Sequence, residues 1–334
     1  MRDRTVRLPA LTGTDARDAY ERARVALGAL GLTWADAVHV REYASARPDP
    51  AARPEGVTLS AIAVEGVLED GHEVAVEVTA CRGGGERFAT GRGVVTVAGE
   101  IVYLPAVVPA DLTAGFGEQY RSCLEVAAEL LKVAGIGPER LVQTTDYTAT
   151  ATRADYPRCG RPRKELLGGE GSDGRPVHPG AAGILVDRAA VKGAMVTLDA
   201  VGSRLPLRAV NPGWTRYDTL TYKPGVAAGG TLFMSGFGAL EPATQRSLFE
   251  GDLVAQAEYT YTAIAAVLRE ENLTGSDVVR LVEYITPPAI TRYPELVAVR
   301  ERHFPGRPAL TSVVCTALLR PEFLIEVVPT AVLR

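Results

Sequence analysis

The chain has 334 residues, enough for two or three ordinary domains or one large one. Its hydrophobic content of 46% is that of a globular protein, and a formal net charge of −4 argues against general nucleic-acid binding. No apolar run is long enough to cross a bilayer, and the start lacks the apolar core of a signal peptide, so a cytoplasmic location and no membrane partner are expected.

The first helix is expected over residues 15–30, with Ala19, Ala23, Ala26, Leu27 and Leu30 inward and Thr14 or Asp15 as N-cap. A strand follows at 37–43, then an irregular stretch rich in Pro, Ala and Arg at 45–55. Two more strands are expected at 57–67 and 73–78, and the turn 68–72 between them reads as a hairpin. No opening hairpin precedes this first set of elements.

The middle of the chain repeats the order. Strands at 94–97 and 101–104 form a hairpin, a helix spans 117–133, and a strand runs over 141–147. A shorter helical segment starts near Ala154 and contains Tyr156-Pro157, and strands at 181–186 and 194–198 close the set. The stretch 168–174 lacks the Gly-Lys-Ser/Thr ending of a phosphate loop and reads as a mobile loop or lid.

The last third has the clearest pattern. A strand at 230–236 reaches a Ser-Gly turn, and a helix over 252–269 buries Tyr261, Ile264, Ala265 and Leu268. The strand 278–285 turns Val279, Leu281 and Glu283 to one face and Arg280, Val282 and Tyr284 to the other. A second helix spans 293–303, and strands follow at 311–318 and 323–328.

One segment is written three times, at 31–43, 135–147 and 272–284. Each copy crosses a short turn and closes on an acid followed by a tyrosine: Glu42-Tyr43, Asp146-Tyr147 and Glu283-Tyr284. The repeat divides the chain into units at 1–82, 83–208 and 209–334. The expected class is α+β, with mixed sheets, helices on one face of each sheet, and an intrachain pseudo-trimer with ligand sites between units. An acid is expected at a matched place in the last strand of each unit: Glu77, Asp199 and Glu326.

Tyr222, the Phe233-Met-Ser-Gly236 turn, Gly251-Asp252 with Gln256, Ser276-Asp-Val-Val279, Arg307-Pro-Ala309 and Phe323-Leu-Ile-Glu326 resemble the Rid (YjgF/UK114) family. That resemblance implies a chorismate-mutase-like fold, clefts between units, and hydrolysis of reactive enamines or imines. It places the family's tyrosine on Tyr222, its turn serine on Ser235 and its water-positioning glutamate on Glu326. The carboxylate-binding arginine falls on Leu310 and a helix asparagine near Val297, so the usual clamp is missing. The length and plan of the whole chain resemble the chorismatases, fused Rid domains that remove the enolpyruvyl group of chorismate by acid–base chemistry.

The catalytic candidates are therefore Glu326, Tyr222 and Ser235. Glu326 sits in an apolar strand where desolvation would raise its pKa. Tyr222 or Ser235 would hold developing charge on oxygen. For substrate binding, Arg161 and Arg163 of the 159–164 cluster are candidates to replace the missing clamp, with Gly236 at the turn and Cys315 in the strand facing the cleft. Cys81, Cys123, Cys159 and Cys315, like the four histidines, are too scattered to suggest a metal, and no motif asks for a cofactor.

The expected activity is a cofactor-independent lyase or hydrolase of specialised metabolism. It would act on a small carboxylated cyclic or unsaturated metabolite. The alternatives are a Rid-type enamine or imine deaminase with a relocated carboxylate clamp, and a non-catalytic small-molecule binding or scaffold protein. The expected assembly is a monomeric pseudo-trimer or a low-order homo-oligomer.

Overall fold

The repeated segment starts where a helix must stop. Gly31, Gly135 and Asn272 take left-handed φ values of 65°, 77° and 56° just past their helices, the conformation that ends an α-helix and turns the chain. Thr33 and Thr274 then cap short turns, with Asp36 and Asp277 reciprocating, and lead into strands. The helix stop recurs three times, whereas the side-chain-capped turn is present in the first and third copies and the second has Gly137 in that place.

The computed structural model describes residues 5–334. The first sheet contains β1 (Thr5–Gly13), β2 (Ala37–Ala44), β3 (Leu59–Ala63) and β5 (Val74–Cys81) in the order β1-β5-β2-β3, backed by α1 (Ala16–Ala29). The short β4 (Gly66–Val67) leaves it to pair elsewhere.

The second sheet is built on β6 (Glu86–Thr90), β7 (Gly93–Ala98), β8 (Ile101–Tyr103), β9 (Leu141–Thr148), β12 (Gly180–Leu185) and β13 (Val196–Ser203). It carries α2 (Phe116–Val133) and α3 (Gly160–Leu166). The pair β10 (Gly169–Glu170) and β11 (Pro176–Val177) stands apart as a small hairpin. The third sheet joins β14 (Arg208–Val210), β15 (Gly225–Ala228), β16 (Thr231–Met234), β17 (Val278–Ile285), β18 (Ala309–Val314) and β20 (Ile325–Val332), and carries α4 (Leu253–Arg269) and α5 (Leu296–His303).

The sheets exchange edges. β4 adds to β18 of the third sheet, and β19 (Ala317–Leu318) adds to β12 of the second. The helices cover the outer faces: α1 packs on Val40, Val76 and Val78, and α4 on Leu281, Ile285 and Val327. The inner faces pack on one another through Tyr43, Tyr147, Tyr284, Ile62, Ile184 and Val313. The fold class is α+β, and from Arg280 on the two faces of β17 divide as its alternation predicts, while a bulge at its start puts Val278 rather than Val279 in the core with Leu281. Among the described residues no helix is long and apolar enough to cross a membrane.

Three local expectations are corrected. The segment before α1 is a strand, β1, paired antiparallel with β5. The turn 68–72 does not make a hairpin, because β3 runs parallel to β2 on one side while β5 pairs with β2 on the other. A parallel neighbour gives no sign of itself in local turn chemistry. The glycine-rich stretch is held by the β10–β11 pairing and by the Ser172 N–H to Leu207 carbonyl bond, and lines no part of the cavity described below.

Between the inner faces lies a buried charge network. Arg41 reaches Glu77 at 3.1 Å and Asp199 at 2.7 Å. Arg280 adds two bonds to Glu77, at 2.7 and 3.0 Å, and the Thr311 hydroxyl a third at 2.8 Å. Ser60 donates to Asp199 at 2.6 Å, and His39 lies 3.5 Å from the same carboxylate. Burial opposes ionisation of Glu77, but Arg280 and Arg41 outweigh it and hold the carboxyl down to about 2.

Removing one member of such a network leaves a buried charge without its partner. Arg41→Met is expected to lower the unfolding free energy by ~3–5 kcal/mol at neutral pH, read from urea denaturation. A loss below ~1 kcal/mol would show that Arg280, His39 and the hydroxyls satisfy both carboxylates unaided.

Candidate functional site

The three last-strand acids are not equivalent. Strand pairing sets Glu77 opposite Arg41 and Asp199 opposite Thr145, but Glu326 opposite Tyr284. The counterparts of Glu326 opposite the other two repeat tyrosines are Ala75 and Thr197. The matched-position expectation is thus corrected: Glu326 lies two residues from the level of the other pair, on the same face.

Its surroundings differ as well. Glu77 and Asp199 are neutralised by arginines, whereas no ion pair reaches Glu326 among the described residues. Burial pushes its carboxyl up to about 8, and the Gly183 N–H, which donates to it, opposes that shift only weakly. A protonated carboxylic acid at neutral pH is therefore held between the second and third sheets.

Glu326 opens onto a cavity of about 550 Å³. Small residues make the room. A Cβ on Gly236 would overlap the Glu326 carboxyl, and one on Gly183 would lie 2.7 Å from the Tyr156 hydroxyl. Tyr222, Trp214, Phe237 and Phe323 supply apolar wall. Burial, and then the Glu326 charge, raise the Tyr222 phenol, so it stays a hydrogen-bond donor.

The cavity is also cationic. Arg153, Arg163, Arg216 and Arg320 line it, against Glu326 as the one acidic lining residue among those described. Arg163 is buried and anchored: its Nη1 donates to the Tyr120 hydroxyl at 3.2 Å and to Thr144 Oγ1 at 3.0 Å, and its Nε to the Thr221 carbonyl at 3.3 Å. Its Nη2 and the Arg153 Nε are buried without a hydrogen-bond partner. Four arginines in the lining favour an anionic or carbonyl-bearing ligand.

Of the residues the sequence singles out, the structure brings Glu326, Tyr222, Gly236 and Arg163 to this cavity. Ser235 is turned away, donating to the Lys223 carbonyl at 2.6 Å and accepting the Ala181 N–H at 2.9 Å, a tie between the second and third sheets. Arg161 is exposed and pairs with Glu165 at 2.9 Å. Cys315 lies outside the lining, 3.6 Å from the Ile285 carbonyl, with its thiol pushed well up by burial.

By strand pairing, the second-sheet counterpart of Leu310 is Ala181, which lines the cavity, as does Arg163 of α3. Arg153, Arg216, Arg320 and Gly183 escape sequence reasoning, because their convergence depends on pairing across distant segments. Among the described residues no group of three or more His, Cys, Asp or Glu side chains is arranged to hold a metal ion.

The family model described as Endoribonuclease L-PSP matches residues 217–333. Protein DfrA of Myxococcus xanthus is 34% identical over 107 residues, covering 32% of this chain and 79% of that protein. The crystal structure of a chorismatase matches 89% of this chain and 93% of its own, with a TM-score of 0.57 and 15% identity, so the two share a fold. A YjgF/YER057c/UK114 family protein from Mycobacterium tuberculosis is 26% identical, with a TM-score of 0.32 over 38% of this chain and 99% of its own.

The raised Glu326 acid has a signature in stability. The folded chain keeps this proton up to about pH 8, while the unfolded carboxyl releases it near 4.5. Between those values the folded state binds more protons, so this group's contribution falls as pH rises, by at most ~1.4 kcal/mol per pH unit, and levels off above the window. Glu326→Gln cannot ionise. Its stability relative to the parent is expected to climb across that window, measured by urea denaturation at several pH values. A difference that is flat in pH would place the carboxyl at its ordinary value.

Proposed function

We propose, for a chain that belongs to the Rid family through its C-terminal part, a cofactor-independent enzyme that protonates a small unsaturated carboxylate. The observation that supports this reading is a neutral, buried Glu326 sharing one cavity with Arg163, whose Nη2 has no hydrogen-bond partner. The reaction favoured is enol ether cleavage of the chorismatase type, consistent with the whole-chain likeness in fold.

Arg163 binds the substrate carboxylate through its free donor. Glu326 gives its proton to the terminal carbon of the enol ether double bond, and positive charge develops on the carbon bearing the ether oxygen. Water adds to that carbon. The Glu326 carboxylate takes back a proton from the added water, and the hemiketal then breaks its bond to the ether oxygen, which takes the hemiketal hydroxyl's proton, releasing pyruvate and an alcohol. Tyr222 closes one wall and donates to a substrate oxygen.

The second reading is hydrolysis of an enamine or imine. The relocated arginine favours keeping it, since protonation of an enamine needs the same acid and the same carboxylate anchor. In either case we read the chain as an intrachain pseudo-trimer of units 1–82, 83–208 and 209–334, working as a monomer on a cytoplasmic metabolite of specialised metabolism. Four arginines and a buried acid in one cavity weigh against a purely non-catalytic scaffold.

Purified protein incubated with chorismate is expected to release pyruvate stoichiometrically, and Glu326→Gln to lower kcat by ~10²-fold or more. The rate should decline above about pH 8 as the acid ionises. Release of ammonia from an enamine substrate, without pyruvate from chorismate, would select the deaminase reading. Full activity in the glutamine variant would sink the mechanism.

A further inference from the structure

The acid of the repeat is glutamate in the first and third sheets and aspartate in the second. In the third sheet Glu283 binds Tyr293, ten residues on, at 2.6 Å. Seventeen residues on, Arg300 meets the same carboxylate with two bonds of 2.8 Å. In the first sheet Arg53 likewise holds Glu42, at 2.7 and 3.2 Å.

The second sheet keeps the spacing and loses the bond. Tyr156, ten residues after Asp146, donates to it at 2.7 Å. Arg163 stands where Arg300 stands in the third set, yet its approach to Asp146 is 4.0 Å. One methylene fewer withdraws a carboxylate by about 1.5 Å, enough to account for the gap. Two orphans result: Asp146 Oδ1 and Arg163 Nη2 are both buried without a partner. The guanidinium turns instead to Thr144 and Thr221, which set it in the wall of the Glu326 cavity.

We propose that Asp146 is a positioning residue whose short side chain frees Arg163 from the ion pair of the other two copies and presents it to the substrate carboxylate. This rests on the clamp role given to Arg163 above. An arginine already held by a fitting carboxylate would have to break that pair before taking a ligand. An arginine held by two hydroxyls, of Tyr120 and Thr144, and the Thr221 carbonyl keeps its charge available. Tyr120 at 2.6 Å and Tyr156 still bind Asp146, so the helices stay docked without the ion pair.

The test is Asp146→Glu, which restores the length found in the other copies. Chorismate binding is read by calorimetry in the Glu326→Gln background, where turnover is slowed ~10²-fold or more. Arg163→Met is expected to weaken binding ~10–100-fold, as loss of a charged hydrogen bond does. Asp146→Glu should weaken it comparably, and should add little once Arg163 is already methionine. A loss from Arg163→Met without one from Asp146→Glu overturns the positioning role and leaves the clamp intact. Unchanged binding in both variants overturns the clamp itself.

A crystal structure of Asp146→Glu needs no ligand. Arg163 left on Thr144 and Thr221 there would refute the proposal, and Arg163 drawn to the longer carboxylate would support it. Should that variant not fold, Asp146→Asn serves. It keeps the length and removes the charge, so chorismate affinity is expected to stay within ~3-fold, because the Tyr120 and Thr144 hydroxyls and the Thr221 carbonyl still hold Arg163. A tenfold loss would overturn the proposal.

Discussion

Each sheet is joined to its helices by a buried carboxylate. Glu42 accepts from Tyr20 of α1 at 2.9 Å, Asp146 from Tyr120 of α2 at 2.6 Å, and Glu283 from Tyr261 of α4 at 2.6 Å. A carboxylate buried at this depth is costly unless hydrogen-bonded, so the phenol and its neighbours must arrive from the helices at fixed places. The residue after each acid is a tyrosine that alternation sends to the opposite, inner face. A two-residue motif thereby specifies both surfaces of every central strand, with helices outside and the meeting of the sheets inside.

What occupies the inner face decides where chemistry can happen. The Arg41 network joins the first sheet to both others and leaves Glu77 and Asp199 charged and bonded. The inner face near Glu326 has no such filling. Gln143 stands where its counterparts carry His39 and Arg280, and its amide is spent on the Met234 carbonyl at 2.6 Å. Ala182 stands where Ser60 and Thr311 offer hydroxyls to an acid. The same sheet arrangement thus gives two junctions filled by charged networks and, at Glu326, a cavity, with side-chain choice and the position of the acid making the difference.

The helices and central strands were legible because their signals are local: an N-cap at Asp15, apolar residues at helical spacing, and alternation in β17. Glu326 and Arg163 were legible as an acid in an apolar strand and a basic cluster after a Gly. Pairing was not legible. The sequence spacing that aligned Glu326 with Glu77 and Asp199 ignored the register against β17, which places it two residues away. Ser235 looked like an exposed turn hydroxyl, but its partners are carbonyl and amide groups of segments far apart in the chain. Arg153 and Arg320 could not be found at all, since no local pattern marks a loop arginine that a distant strand will leave without a partner.

An open site carries costs: an acid held uncharged by burial, guanidinium donors without acceptors, and glycines where side chains would pack. A symmetric assembly of three identical units would bear those costs three times. In one chain, unequal copies let the sealed junctions supply cohesion while the third keeps its polar groups unsatisfied. The raised acid, the arginines and the glycines meet at this cavity, where uncompensated polar groups have a use. Asp146 shows the smallest form of this division: the tyrosine bonds that dock the helices are retained, and a single methylene separates an arginine that stabilises the fold from one that faces the cavity.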